Sequence, residues 1–367
     1  MNRADVIGAG PAGLVSAMLL KKHHGFRTVR VHERRLPDEN PGLGIILHQD
    51  SLEKLHGIDP SMAAQVRQSG RLISDVVVSK EREVSHFRSR PLLGIPRWEL
   101  LCILREYCVR HAVEIHYGSC IRHHSDLPPS DLLVVADGAF STFRSHYDAL
   151  FQPYRLPHKL RYHWFSINKG LDDFIFDFAS TEYGNMILHA YPFSRSQSSA
   201  IVETRQQNLQ SLNPRNGESL SRFFSQVFSQ SLCGESMVPP GDTALDRWMA
   251  FHSVGCRRWF AELDGRWLVL VGDAARTVHF SIGSGTRLAI ADAVALSDAL
   301  MTQSEPISAF THYQSLRQKT SERYQKLGIQ SSEWFSRAWQ YFHLPQPEFG
   351  HALMGRATVW PASGQCQ

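Results

Sequence analysis

Three stretches of the chain join an apolar strand to a turn of small residues and then to a helical repeat. Residues 4–33, ADVIGAGPAGLVSAMLLKKHHGFRTVRVHE, open with a short strand ending at Val6-Ile7 and turn through Gly8, Gly10 and Gly13. A helix follows, carried by Leu14, Ala17, Met18 and Leu20, and a second strand, TVRVHE, ends in Glu33. DLLVVADGAFSTFRS (131–145) predicts a strand ending in Asp137-Gly138, with Ser141 and Arg144 behind it. GRWLVLVGDAARTVHFSIGSGTRLAIADAVAL (265–296) predicts a strand ending in Gly272-Asp273 and a helix after Gly283-Ser284-Gly285.

Between these stretches the period changes. RWELLCILREYC predicts a helix that opens at Arg97, with positions 98, 101 and 104 as its buried face. Residues 155–245 hold strand-like runs, HKLRYHWFSIN, FIFDFAS, NMILHAYPF and SSAIVETR, that read as an antiparallel sheet. Alternation in MILHAYPF puts Met186, Leu188 and Ala190 on one face and Ile187, His189 and Tyr191 on the other. A polar loop then leads into an amphipathic helix with Phe223, Phe224, Val227 and Phe228. From 288 to about 343 the pattern is helical, with Tyr313, Leu316, Tyr324 and Trp334 as packing positions. The last segment, WFSRAWQYFHLPQPEFGHALMGRATVW, either packs against the body or covers an entrance.

Composition narrows the choices. A chain of 367 residues exceeds one ordinary hydrophobic core and predicts two intimately packed lobes. A formal charge of +4 excludes nucleic acid as the main partner and leaves room for an anionic substrate. Cys102, Cys108, Cys120, Cys233, Cys256 and Cys366 show no Cys-x-x-Cys spacing, as expected of reduced thiols in a cytoplasmic protein. No run nears the ~18 apolar residues of a membrane span, and the chain passes from its first residues straight into a strand, with no signal-peptide pattern. The doublets His23-His24 and His123-His124 lack metal-site companions and read as solvent-facing, so no metal is expected.

The first stretch carries the clearest chemistry. Gly8 permits the tight turn, Gly10 lets backbone approach a pyrophosphate, and Gly13 lets the helix sit close to the strand. The helix start, with Ala12 in its first turn, offers unpaired N–H groups to phosphates. Glu33, twenty residues past Gly13, is placed to accept hydrogen bonds from an unphosphorylated ribose, which suits FAD or NAD(H). The third stretch has neither the Gly-Lys-Ser/Thr of a phosphate cradle nor the Gly-x-Ser-x-Gly of a hydrolase elbow.

Taken together, the three stretches resemble the group A flavoprotein monooxygenases, the single-component aromatic hydroxylases of para-hydroxybenzoate hydroxylase type. GLGIILHQDSLEKL (42–55), LLGIPRWELLCIL (92–104), HAYPFSRSQSSAIVE (189–203) and HFSIGSGTRLAIADAVAL (279–296) are similar to one branch. That branch holds the salicylyl-CoA and 2-aminobenzoyl-CoA hydroxylases and the violacein-pathway tailoring hydroxylase. The resemblance implies an α/β fold, with a Rossmann-like FAD-binding domain of the GR2 type, an inserted antiparallel-sheet substrate domain and a C-terminal helical segment. Its boundaries here are 1–75, 96–154 and 246–300 for the FAD-binding domain, 76–95 and 155–245 for the substrate domain, and 301–367 for the C-terminal segment.

The same resemblance implies site residues. Asp273 would hold the ribityl chain of FAD, and backbone N–H groups after Gly283, around Gly285 and Thr286, would face the flavin pyrimidine ring. Asp137 belongs to the Asp-Gly motif. Arg97 is either an FAD contact at a helix start or a surface arginine. Arg34 and Arg35 either lie along the adenine or pyrophosphate or form a solvated basic turn. Two departures stand out. Arg276 replaces the histidine of many relatives, and pairs with a phosphate or carboxylate or lies at the surface. His279-Phe280 replaces a proline pair facing the flavin. His279 either orients or deprotonates a phenol, aniline or indole, or only shapes the pocket. His189 and Tyr191 are substrate contacts if their face looks at the flavin, and structural otherwise.

The expected activity is hydroxylation of an aromatic substrate, an aryl- or aminoaryl-CoA thioester or an indole-derived metabolite. FAD is the cofactor, NADH or NADPH the transient reductant, and O2 enters through a flavin C4a-hydroperoxide in such families. No second Gly-x-Gly-x-x-Gly marks a stable NADPH domain, and no Trp-x-Trp-x-Ile-Pro marks a halogenase. The length leaves no space for the reductase domain of the longest acyl-CoA relatives, and a monomer or homodimer is expected. A reductase or oxidase of the same fold, or an FAD-binding protein without catalysis, are the rival readings.

Overall fold

Leu132–Val135 is apolar at every position because both faces of its sheet are covered, and all four residues are fully buried. In the computed structural model, which describes residues 1–39, 43–212, 219–239 and 247–357, this strand is the third of a six-stranded sheet. Gly42, residues 213–218 of the polar loop, Cys366 and the end of the C-terminal segment lie outside the described residues. The sheet comprises β1 (Arg3–Ile7), β2 (Thr28–Glu33), β6 (Glu114–Tyr117), β7 (Leu132–Val135), β14 (Phe260–Leu263) and β15 (Arg266–Leu270). Their order is β14-β15-β7-β1-β2-β6, parallel throughout except for the β14–β15 hairpin. The helices Pro11–His23, Arg97–Arg110 and Gly285–Thr302 bury Leu14, Leu104 and Ile290 in its core. In the second helix the buried residues are Leu100, Leu101, Ile103, Leu104, Tyr107 and Cys108, so positions 101 and 104 of the expected face are buried while Trp98 is only half-buried.

The second sheet has nine strands: β3 (Gly44–His48), β4 (Arg71–Lys80), β5 (Glu83–Pro96), β8 (Pro153–Ile167), β9 (Phe174–Thr181), β10 (Gly184–Pro192), β11 (Ser198–Arg205), β12 (Met237–Val238) and β13 (Met249–Cys256). It is antiparallel apart from the parallel pair β4–β9. It draws β3 and the start of β4 from within 1–75, and β13 from within 246–300, through pairings with β5 and β8 that no local period announces.

The alternation read from MILHAYPF is present in space. Met186, Leu188 and Ala190 pack with Phe224 and Phe228, whereas Ile187 and Tyr191 face Phe335, Phe349 and Leu353 of the C-terminal segment. That segment therefore packs on the sheet, through the helices Pro306–Ser336 and Glu348–Gly355. Tyr313 of the longer helix is buried against the six-stranded sheet instead, donating its hydroxyl to the Leu270 carbonyl at 3.0 Å, and Leu316 is exposed.

The histidine doublets are less free than expected. His24 meets the Ser297 hydroxyl at 3.0 Å, and His124 meets Tyr147 at 2.6 Å and Asp264 at 2.9 Å. Among the described residues no group of His, Cys, Asp or Glu is arranged to hold a metal, and no helix is long and apolar enough to cross a membrane. Cys102, Cys108, Cys120, Cys233 and Cys256 are free thiols.

Candidate active site

One cleft opens at the carboxyl ends of β1, β2, β7 and β15, where a doubly wound sheet places its ligands. The glycines after β1 build its floor. Gly8 has φ +99° and lies so close to β7 that a Cβ would meet the Ala136 carbonyl oxygen at 2.5 Å. Gly13 touches the same turn, for a Cβ there would stand 1.9 Å from the Gly8 carbonyl oxygen. Gly10 has open space in front of it, on the side that faces the cleft.

Two helices point their N-termini into this cleft, Pro11–His23 and Gly285–Thr302. Neither is capped by a side chain, and neither has an acid in its first turn. Ser284, at the cap position of the second, donates its hydroxyl to the Ile282 carbonyl at 3.0 Å instead. First-turn N–H groups and the positive dipole ends are thus left for a negatively polarised ligand.

Carboxylates and arginines complete the walls. Glu33 accepts from the Ala9 N–H at 2.7 Å and the Arg35 N–H at 3.0 Å, which locks the glycine turn to the end of β2. Asp137 accepts from the Phe143 N–H at 3.3 Å with one oxygen, while the other is buried with no hydrogen-bond partner. Burial raises both the Asp137 and Asp273 carboxyls above the ordinary range, and Arg276 and Arg97 pull Asp273 back. Arg144 straps two of the motifs together, donating to the carbonyls of Ala274 and Ala139, each at 2.8 Å. Gly272, at φ +65°, sets the third motif directly against Ala12 of the first.

Gly8, Gly10, Ala12, Glu33, Arg34, Arg97, Asp137, Asp273, Gly285 and Thr286 all line this one cleft. Gly13 lies beneath it as a packing residue. Gly283 is a turn residue at φ +60°, whose carbonyl accepts from His48 at 3.0 Å. The reading of Arg276 changes, and Tyr191 and His189 take the structural alternative. Arg276 is 1% exposed and lies 2.9 Å from Asp292, so it meets neither solvent nor the cleft. Tyr191 is buried, donates its hydroxyl to the Gly44 carbonyl at 3.0 Å, and has its phenol pushed up to about 12 by burial. His189 is buried 2.8 Å from Glu203, off the line of a good hydrogen bond.

His279 is 1% exposed and does not line the cleft. It stacks on Phe280, with ring centroids 4.4 Å apart, and lies 4.6 Å from the His158 ring. Its Nδ1 lies 2.9 Å from the Ser281 hydroxyl and 3.4 Å from the Ser281 N–H, and its Nε2 faces Glu203 at 3.8 Å. Burial holds the imidazole well below its usual range and therefore neutral. Glu203 and His158 escaped the sequence reading, because nothing local marks their approach to His279. Arg105, also on the cleft wall, did have a signal: it follows Arg97 and Leu101 on one helical stripe.

Comparison with known proteins agrees with this geometry. Residues 3–324 match the profile of a family described as FAD binding domain. A salicyloyl-CoA 5-hydroxylase from a Streptomyces species is 31% identical over 92% of this chain, which spans 65% of that protein's length. A 3-hydroxy-4-methyl-anthranilyl-[aryl-carrier protein] 5-monooxygenase from Streptosporangium sibiricum is 30% identical over 91% of this chain and 89% of its own. The structure of tetrameric 2-methyl-3-hydroxypyridine-5-carboxylic acid oxygenase superposes with a TM-score of 0.74, covering 99% of both chains at 19% identity, which speaks for the fold.

Proposed function

The chain belongs to the FAD-binding-domain family, and from that premise we propose that it is an FAD-dependent monooxygenase that hydroxylates an aromatic acyl thioester, with NAD(P)H as reductant. The observation that carries the reading is convergence. Residues from three motifs spread between positions 8 and 286 line one cleft, with two uncapped helix ends turned into it. The thioester part rests on the relatives that act on salicyloyl-CoA and on an aryl-carrier-bound anthranilyl group.

The residues fit FAD. The Gly8–Ala12 turn and the helix behind it would take the pyrophosphate, with Arg34 and Arg97 beside it. Glu33 would accept from the ribose hydroxyls, and Asp273 from the ribityl chain. N–H groups at Gly285 and Thr286 would stabilise negative charge on the ring edge. Bound FAD supplies the redox and oxygen-activating chemistry; the protein binds, orients and excludes water.

The purified protein should be yellow. Aryl-CoA esters should stimulate its NAD(P)H oxidation, and labelled O2 should put one labelled atom into the ring. Peroxide without labelled product would leave an oxidase or reductase, and no NAD(P)H consumption with any aryl thioester or indole would leave a binding protein.

His279, His189 and Tyr191 act here as positioning residues, for the structure gives each a protein partner. His279→Ala should retain FAD yet lose about 2–4 kcal/mol of stability, since it opens a cavity and removes one of the two imidazoles beside the buried Glu203. Coupled hydroxylation should fall with it. His279→Asn, which keeps an acceptor for the Ser281 N–H, should recover part of both; equal losses in the two variants would contradict this role.

A further inference from the structure

We propose that Arg105 holds the adenosine half of FAD, an assignment that rests on the FAD reading above and extends it to a residue outside all three motifs. The helix Arg97–Arg110 turns one stripe to the cleft, for Arg97, Leu101 and Arg105 all line it at four-residue spacing. Eight residues at ~1.5 Å of rise put Arg105 about 12 Å along the axis from Arg97. Arg97 stands near Asp273 and Glu33. Glu33 ends β2, where a ribose-binding acid sits in this fold, so the cleft beyond it, toward β6, is the adenosine end. Ser119, Cys120 and Arg122, which follow β6, line that end together with Arg105.

The guanidinium is held in a definite pose. It lies 5.2 Å from the Trp98 ring centroid and 5.4 Å from that of Tyr117. Two aromatic rings hold the cation, and its N–H groups are the means by which it can hydrogen-bond. Its Nε is buried with no hydrogen-bond partner, and no described carboxylate forms an ion pair with Arg105. A clamped cation with an unanswered donor in a ligand cleft calls for an acceptor from the ligand. The purine nitrogens, ribose hydroxyls and adenylate phosphate of FAD offer such acceptors, and the isoalloxazine ring lies at the other end.

The test uses apoprotein stripped of flavin and titrated separately with FAD, ADP and FMN, followed by intrinsic and flavin fluorescence. Arg105→Ala should raise the Kd for FAD and for ADP at least ~10-fold, equivalent to about 1.4 kcal/mol, and leave that for FMN unchanged. Arg105→Lys keeps charge and bulk between the two rings but loses the planar N–H edge. It should melt at the wild-type temperature and still bind FAD and ADP more weakly. A lysine variant with wild-type affinity for FAD and ADP overturns the proposal, as does an equal shift for FMN and ADP. Wild-type protein that takes up neither flavin overturns the FAD reading itself, and this assignment with it.

Discussion

A Gly13→Ala protein should emerge from purification colourless, with its affinity for added FAD reduced at least ~100-fold, about 2.8 kcal/mol. The methyl group would stand 1.9 Å from the Gly8 carbonyl oxygen and 3.3 Å from the Val6 side chain. Neither neighbour is the free end of a flexible chain. The first is the backbone of the turn that approaches the pyrophosphate, and the second belongs to β1 in the buried core. Relief requires the helix Pro11–His23 to move away from the sheet. That movement carries its N–H groups out of line with the Gly8–Ala12 turn and loosens the contact of Ala12 with Gly272. Gly10→Ala is the control. No heavy atom lies within 4 Å of its would-be Cβ, so the apoprotein should be as stable as wild type and any loss should appear only when FAD is added. Wild-type FAD content in Gly13→Ala would show that helix and strand do not need this contact.

Asp292→Ala should lower the unfolding free energy by about 3–5 kcal/mol, the usual cost of removing one partner from a buried ionic group. Asp292 is fully buried in the helix Gly285–Thr302. One oxygen accepts from Arg317 Nε at 2.7 Å; the other accepts from the Gly272 N–H at 3.1 Å and lies 2.9 Å from Arg276. Without it, two guanidiniums that are almost wholly shielded from water lose the carboxylate that stands within 3 Å of each. The Gly272 N–H also loses its acceptor, next to Asp273 at the cleft. Urea denaturation of apoprotein reads the effect directly, and a shift below ~1 kcal/mol would mean the arginines find other anions. Asp292→Asn, which can still accept from Gly272, should retain more FAD than the alanine variant at comparable stability loss, because it preserves the turn.

The positions of Gly8, Gly10, Gly13 and Glu33 were legible in the sequence because strand, turn, helix and acid lie within thirty residues of one another. Local sterics dictate them: a backbone that must turn sharply or touch another backbone has no room for a side chain. The alternation of β10 was legible for the same reason, since its two faces follow from chain geometry alone. Which residues meet across the fold was not. Asp292 reads as one acid inside an apolar helix, and its partners Arg276 and Arg317 lie sixteen residues before it and twenty-five after. His279, Glu203 and His158 come from three separate elements, and nothing near Arg276 in the chain marks Asp292 as its partner. A pair of buried charges is chosen by desolvation, which forces each to find an opposite partner wherever the packed elements bring one. Sequence by itself determined the local devices of the cleft; tertiary packing decided which polar groups were left over to face it.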